Sequence, residues 1–94
     1  MLYVHVEYVL KDGIKGKDFY NRILKEEIIS KTHAEEGCLR FEYFFPAETE
    51  GLFLLEKWKD HEALEFHKNS SYVLELQELK KEYVFETKIE TIEV

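Results

Sequence analysis

Apolar runs typical of strands alternate along the chain with apolar residues at helical spacing, and together they predict its secondary structure. Residues 2–10, LYVHVEYVL, are rich in Val and Tyr, lack helix formers and stop at KDG, which predicts a strand that ends in a turn. Between residues 17 and about 33, apolar positions such as Leu24 and Ile28 recur at a spacing of four. That spacing predicts one amphipathic helix of roughly four to five turns, with Gly37 as the stop signal after it.

The second half of the chain repeats these two patterns. CLRFEYFF and LFLLEKWK predict two strands joined by PAETEG, a polar connection of hairpin length. Asp60 stands where an N-cap would open a short helix, HEALEFH, and Asn69, Ser70 and Ser71 interrupt that helix and cap the next one. VFETKIETIEV predicts the last strand.

The predicted order is β-α-β-β-α-β, with the second helix broken in two, which is the split pattern of a ferredoxin-like α+β sandwich. In that fold a four-stranded antiparallel sheet carries helices on one face, so the other face should be polar in a monomer. The second and third strands are apolar on both faces, with Leu39, Phe41, Tyr43 and Phe45 against Cys38 and Phe44, and Leu52 and Leu54 against Phe53 and Leu55. Two sheets packed face to face across a two-fold axis would bury both faces, which predicts a homodimer.

Composition bounds the domain count and the class of partner. The chain forms one predicted domain, 1–94, and its 45% hydrophobic and 15% aromatic residues exceed what a small monomer easily hides. The net charge of -7 comes from scattered acids without a basic stripe, so we expect no nucleic-acid partner.

Charged residues interrupt the N-terminal third of the chain. We therefore expect no signal peptide and no membrane span, and a cytoplasmic protein. Cys38 is the one cysteine of the chain, so it cannot form an internal disulfide, and no Cys/His spacing predicts a metal site.

One segment, EKWKDHEALEFHK at residues 56–68, concentrates side chains suited to chemistry. Glu56 and Trp58 share strand parity and point to the same side, and His67 ends the short helix that follows. If they share a pocket wall, His67 is a candidate general acid or base, and Glu56 a partly desolvated carboxylate that orients His67 or acts as the base itself. Trp58 offers a flat apolar ring and one N–H donor. The structural alternatives are a core-filling Trp58, a helix-end His67 and an interface salt bridge of Glu56.

Three further residues are candidate substrate contacts. His5 and Glu7 lie on the mixed face of the first strand, whose other face is entirely apolar, and the pattern leaves open which face lines a pocket. Arg40 has forked donors that suit an anionic group such as a phosphate or enolate, with an exposed strand arginine as the alternative.

Two segments, EEGCLRFEYF at residues 35–44 and LLEKWKDHEALEFHKNSSY at residues 54–72, are similar to those of a known family, and the order of elements matches over the whole chain. Through them the sequence resembles the antibiotic biosynthesis monooxygenase family of dimeric α+β barrels. Within the family the chain is similar to the small quinol monooxygenase type and to the isomerase type that processes a phosphorylated autoinducer dione. The haem-degrading branch is a poorer match, because the first strand lacks its Asn and no His follows His67.

The resemblance implies chemistry without metal or flavin, in which a phenol-like substrate in an apolar pocket loses a proton and its anion passes an electron to dioxygen. We therefore expect a cofactor-independent monooxygenase of a small quinol or polyphenol. Its expected site residues are His67 and Glu56 as catalytic groups and Trp58, Arg40, Glu7 and His5 as substrate contacts. The alternatives are an acid/base isomerase of a small phosphorylated dione and a non-catalytic dimeric module that binds a small molecule.

Overall fold

Four strands and four helices make up the computed structural model, which describes residues 1–94. In chain order they are β1 Leu2–Leu10, α1 Gly16–Lys25, α2 Ile28–His33, β2 Cys38–Phe44, β3 Leu52–Trp58, α3 His61–Lys68, α4 Ser71–Tyr83 and β4 Val84–Glu93. The strands form one antiparallel sheet in the order β2-β3-β1-β4. The predicted ferredoxin-like α+β fold is confirmed.

Strict alternation in the two central strands decides which sheet face the helices cover. The buried residues are Leu2, Val4, Val6 and Tyr8 in β1 and Leu52, Leu54, Glu56 and Trp58 in β3, while the residues between them are half-buried. These side chains form one core with apolar residues of the helices, among them Phe19, Ile23, Ile28, Leu64, Leu76 and Leu79. The apolar face of β1 is therefore the covered face, and the mixed face is the open one.

The prediction of a single helix from residue 17 to 33 is wrong, because the segment forms two helices. Glu27 adopts φ 59°, a left-handed conformation that a continuous right-handed helix excludes. After this break Ile28 and Thr32 are buried, whereas Leu24 is 46% exposed. The spacing of four persists across the break, so the periodicity contains no sign of it.

A β-bulge in β2 corrects the predicted faces of that strand. Cys38 pairs with Trp58 and Arg40 pairs with Lys57, so Leu39 is the extra residue between them. Cys38 therefore lies on the covered face with Trp58, and not on the opposite face as simple alternation predicted. Leu39 leaves the apolar row and is 51% exposed.

Two N-caps place the helices that follow β3. The Asp60 carboxylate accepts the Ala63 N–H at 2.9 Å and opens α3, as predicted. The Ser70 hydroxyl accepts the Val73 N–H at 3.4 Å and opens α4. His67 lies in the last turn of α3, three residues after buried Leu64 on the same helix face, and is itself buried.

Gly37 and Ala63 approach closely where α3 packs against the start of β2. A Cβ atom added to Gly37 would lie 2.2 Å from the Ala63 Cβ. The Gly37 carbonyl also accepts the Lys59 N–H at 2.9 Å just before α3 begins. Gly37 thus sets how closely α3, and with it His67, approaches the sheet.

We expect Gly37→Ala to lower the free energy of unfolding by about 2 kcal/mol, because the added methyl overpacks this contact. Ala63→Gly alone should cost about 1 kcal/mol through helix propensity. In the double variant the two methyl groups no longer collide, so its loss should be smaller than the sum of the single losses. Urea denaturation of the three variants measures this coupling, and additive losses would contradict the packing role of Gly37.

Candidate functional site

A small cavity lies between the covered sheet face and helices α3 and α4. Its volume is about 180 Å³, and most of its wall is apolar, including Val4, Val6, Phe41, Leu54, Leu64 and Leu76. Seven of its sixteen lining residues are polar or charged, and of these only Glu56 and His67 are buried. Apolar walls with a small number of polar groups are typical of small-molecule sites, and a cavity of roughly 150 Å³ accommodates one benzene ring.

A larger groove runs along the outside of α3 and opens broadly to solvent. Its volume is about 710 Å³, and its lining is mostly charged, with Lys31, Glu35, Glu36, Lys59, Asp60 and Glu62. We assign the candidate site to the smaller cavity, because that cavity is more enclosed and contains the buried titratable groups Glu56 and His67.

Glu56, Trp58 and His67 converge at the cavity, but Trp58 stands behind its wall. The Trp58 Nε1–H donates to Glu56 Oε1 at 2.8 Å, and the Trp58 and His67 ring centroids are 4.5 Å apart. Trp58 is fully buried and its single donor is occupied. The ring therefore supports Glu56 and His67 in this structure, and its predicted stacking on a substrate stays a prediction.

Glu35 contacts His67 from the side of the groove. Its Oε2 accepts the Nδ1–H of His67 at 2.8 Å and the hydroxyl of Tyr72 at 2.5 Å. The side chains of His67 and Glu35 are 8% and 6% exposed, and Glu35 Oε1 is buried without a partner. Since a carboxylate only accepts, we assign the Nδ1 proton to His67, which makes Nε2 the basic nitrogen of the neutral ring.

Neither Glu35 nor Tyr72 carried a sequence signal of a role at the site. Both fall inside the segments that resemble the family, yet Glu35 lies 32 residues before His67 and 37 residues before Tyr72. No local spacing rule connects residues so far apart. Only the packing of α3 and α4 against the start of β2 brings them together.

Burial controls the protonation of Glu56. Loss of hydration raises the pKa of Glu56, and the hydrogen bond from Trp58 and positive charge on His67 partly oppose that rise. The net pKa remains above the usual value of a glutamate. Glu56 therefore holds a proton to higher pH than an exposed carboxyl does.

Two neighbouring groups are kept protonated by the same environment. Burial, followed by the charges of Glu35 and Glu56, raises the pKa of the Cys38 thiol to about 11. Burial and the hydrogen bond to Glu35 raise the pKa of Tyr72 to about 12. At neutral pH Cys38 is thus a weakly reactive thiol, and Tyr72 is a hydrogen-bond donor.

The predicted contacts on β1 lie on the open sheet face, away from the cavity. His5 Nδ1 is 3.6 Å from Glu90 Oε1, and Glu7 Oε1 is 3.9 Å from Lys88 Nζ. The His5 ring also lies 5.9 Å from the ring of Phe53. The structure does not bring His5 and Glu7 together with His67, and their substrate roles stay predictions.

Arg40 is also separate from the cavity. It is exposed on β2 and its Nε–H donates to Glu42 Oε1 at 2.6 Å. This is the exposed strand arginine of the alternative interpretation.

No group of three or more His, Cys, Asp and Glu side chains is placed to hold a metal ion. No helix combines the length and the apolar character needed to cross a membrane.

Solved structures match this fold over nearly the whole chain. A conserved protein of Methanosarcina mazei is 31% identical and superposes with a TM-score of 0.84, covering 97% of this chain and 89% of its own. A protein of Pseudomonas aeruginosa is 21% identical, with a TM-score of 0.85 and coverages of 99% and 92%. A crystal structure of an antibiotic biosynthesis monooxygenase is 19% identical, with a TM-score of 0.80 and coverages of 100% and 98%.

A sequence profile settles the family. No protein of curated function matches the chain. The profile of the family described as "Antibiotic biosynthesis monooxygenase" matches residues 1–79, which contain the whole of β1 to α3 and most of α4. The segments that resembled this family in the sequence lie inside the matched range. The chain belongs to the antibiotic biosynthesis monooxygenase family.

Proposed function

We propose that this protein is a cofactor-independent monooxygenase that oxidises a small quinol or polyphenol with dioxygen. Family membership supports the reaction class. The observation that carries the proposal to this chain is the apolar cavity in which Glu56 and His67 border a space suited to one aromatic ring. Such a site needs a base, a donor for the oxyanion and walls that exclude water.

His67 is the proposed base. Glu35 holds the Nδ1 proton, so Nε2 is the nitrogen that takes a proton from a substrate hydroxyl. The imidazolium that results is stabilised by the Glu35 carboxylate, which the Tyr72 hydroxyl keeps in place. A carboxylate that fixes the tautomer and stabilises the charged ring is the arrangement found in hydrolase triads.

Glu56 is the proposed donor to the substrate oxygen. Its Oε1 is fixed by the Trp58 N–H. Its raised pKa increases the fraction of molecules in which the carboxyl group is protonated at a given pH. A protonated carboxyl in an apolar site donates a hydrogen bond to a developing oxyanion. Glu56 and His67 therefore provide a donor and a base at one cavity.

The overall reaction balances with dioxygen alone. The quinol loses a proton to His67, and the resulting anion passes two electrons to dioxygen and forms a carbon–oxygen bond to it. His67 returns the proton to the peroxide formed on the ring. The O–O bond then breaks as the same ring carbon loses its hydrogen, which leaves a carbonyl on the ring and releases one water. One quinol and one dioxygen thus yield one hydroxylated quinone and one water.

A dione isomerase is the second candidate, since the same base and donor suit it. His67 would remove a proton from carbon next to a carbonyl, and Glu56 would donate to the enolate oxygen. No oxygen is consumed in that reaction. Solvent deuterium in the product without oxygen uptake is its signature.

We also propose that a second copy of the chain covers the open sheet face and completes a dimeric barrel. Phe53 and Leu55 are half-buried there, Phe44 is 42% exposed, and Ile92 is 38% exposed. The rings of Phe44 and Phe53 lie 6.4 Å apart and form a continuous apolar surface. A surface of this kind supports packing of sheet on sheet.

Oxygen-electrode measurements with a panel of hydroquinones test the monooxygenase. We expect wild-type turnover above the autoxidation rate and a loss of about 100-fold or more in kcat for His67→Ala, the usual effect of removing a general base. His61→Ala is the matched control, because His61 is 71% exposed and outside the cavity. Absence of turnover, or wild-type activity in His67→Ala, would contradict the proposal.

The raised pKa of Glu56 predicts a pH-dependent stability. The folded state binds the Glu56 proton more tightly than the unfolded state does. The contribution of Glu56 to the free energy of unfolding therefore falls as the pH rises from about 4.5 through its folded pKa. Glu56→Gln keeps the acceptor for Trp58 without the charge. We expect it to match wild type near pH 4 and to be more stable by about 1 kcal/mol at pH 7, the usual size of a single-site effect. Urea denaturation of Glu56→Gln and of exposed Glu86→Gln measures the difference, and a pH-independent gain would argue against a raised pKa.

Sedimentation equilibrium tests the interface. We expect the wild-type mass to equal two chains of 11.3 kDa, and Phe53→Glu to shift the population to one chain, because it places a charge in the buried surface. Phe66→Glu is the control, since Phe66 is 69% exposed on α3 and away from the open sheet face. A monomeric wild type, or equal dissociation by both substitutions, would be incompatible with this interface.

A further inference from the structure

Lys80 is a half-buried cation without a counter-ion, and it borders the cavity. The residue lies on α4 and shares the cavity wall with Glu56 and His67. No carboxylate oxygen approaches its Nζ within the 4.0 Å of an ion pair. The neighbouring Lys81 is exposed and pairs with Glu78 at 3.1 Å. In a chain with 20 acidic residues, the absence of a partner at Lys80 distinguishes this lysine from its neighbour.

The surroundings of Lys80 do not compensate for its burial. Its Nζ lies 5.7 Å from the centroid of the Tyr8 ring, a contact that stabilises an ammonium only modestly. Burial lowers the pKa of Lys80, as expected of an ammonium that has lost hydration without gaining an anion. Lys68 also borders the cavity, but its Nζ is already 3.6 Å from Glu65. Lys80 is therefore the cavity cation with unused binding capacity.

Lys80 lies about two helical turns along α4 from the end of the helix that is next to His67. Val73, at the start of the helix, lies beside the His67 end, because the Ser70 hydroxyl that caps Val73 donates to the His67 carbonyl at 2.7 Å. Val73, Leu76, Gln77 and Lys80 follow one another along the cavity wall. At a rise of 1.5 Å per residue, Val73 and Lys80 are separated by about 10 Å along the helix. One ring and a short side arm span such a distance.

We propose that Lys80 binds an anionic group of the substrate, so that the site selects aromatic diols with a short acidic arm. This inference rests on the proposed function and narrows its substrate class. The ring occupies the apolar space next to Glu56 and His67, and the carboxylate, sulfonate or phosphate of the arm pairs with the Lys80 ammonium. A charge-assisted pair formed in a partly desolvated site is stronger than the same pair at the surface.

A comparison of one acid with its neutral ester tests this assignment. The probes are 2,5-dihydroxyphenylacetate and its methyl ester, kept under argon, and their binding is followed by the fluorescence of Trp58, the single tryptophan of the chain. We expect wild type to bind the acid at least tenfold more tightly than the ester. Lys80→Gln should lose that preference while its affinity for the ester stays within about twofold.

Two further variants serve as controls. Lys81→Gln removes the same charge from the exposed neighbouring position and should keep the preference for the acid. Lys80→Arg retains a cation at this position and should keep most of the preference for the acid over the ester. Unchanged urea midpoints for the variants verify that the fold is intact.

Three results would overturn the inference. Equal binding of acid and ester by wild type would do so, as would equal weakening of both ligands in Lys80→Gln or the same loss in Lys81→Gln. Oxygen uptake separates this failure from that of the proposed function. An ester that binds and is oxidised leaves the monooxygenase in place without anion recognition, whereas failure to bind or oxidise either probe counts against both.

Discussion

A buried carboxylate shared by an imidazole and a phenol connects the helical layer to the start of β2. Glu35 precedes the strand, His67 ends α3 and Tyr72 begins α4, and both of these side chains donate to the same Glu35 oxygen. Removing one partner of such a buried set leaves the others desolvated and unpaired, which costs several kcal/mol. The orientation of His67, and with it the polar end of the cavity, depends on this shared oxygen.

The two carboxylates beside His67 have different environments and suit different tasks. Glu35 accepts two hydrogen bonds at one oxygen, whereas Glu56 accepts only the Trp58 N–H and has its pKa raised by burial. In the proposed reaction Glu35 orients His67 and stabilises its charged form, while Glu56 donates to the substrate oxygen. Trp58 contributes to the proposed site indirectly, because it fixes the Glu56 carboxyl group by a hydrogen bond and packs against the His67 ring.

The order of elements and the common side of Glu56 and Trp58 were predictable, because strand parity, N-caps and apolar spacing are local properties of the sequence. That His67 meets Glu56 at one cavity was only a possibility at that level, since it depends on how α3 packs on the sheet. The helix break at Glu27 and the bulge at Leu39 were not, since each inserts an irregularity that leaves the surrounding pattern intact. Glu35 escaped prediction for a different reason. Its role arises from contacts 32 and 37 residues away, which only tertiary packing creates.

The protonated thiol of Cys38 has a consequence for the lifetime of such a site. Chemistry of the kind proposed here generates reduced oxygen species within a few side chains of this sulfur, and a thiolate is the form that peroxide attacks. Burial is the main cause that opposes ionisation of the thiol, and the carboxyl groups of Glu35 and Glu56 add to it when they are ionised. The partly buried setting of Cys38 would therefore protect the protein from self-inactivation, because it suppresses the first step of cysteine oxidation near the proposed site.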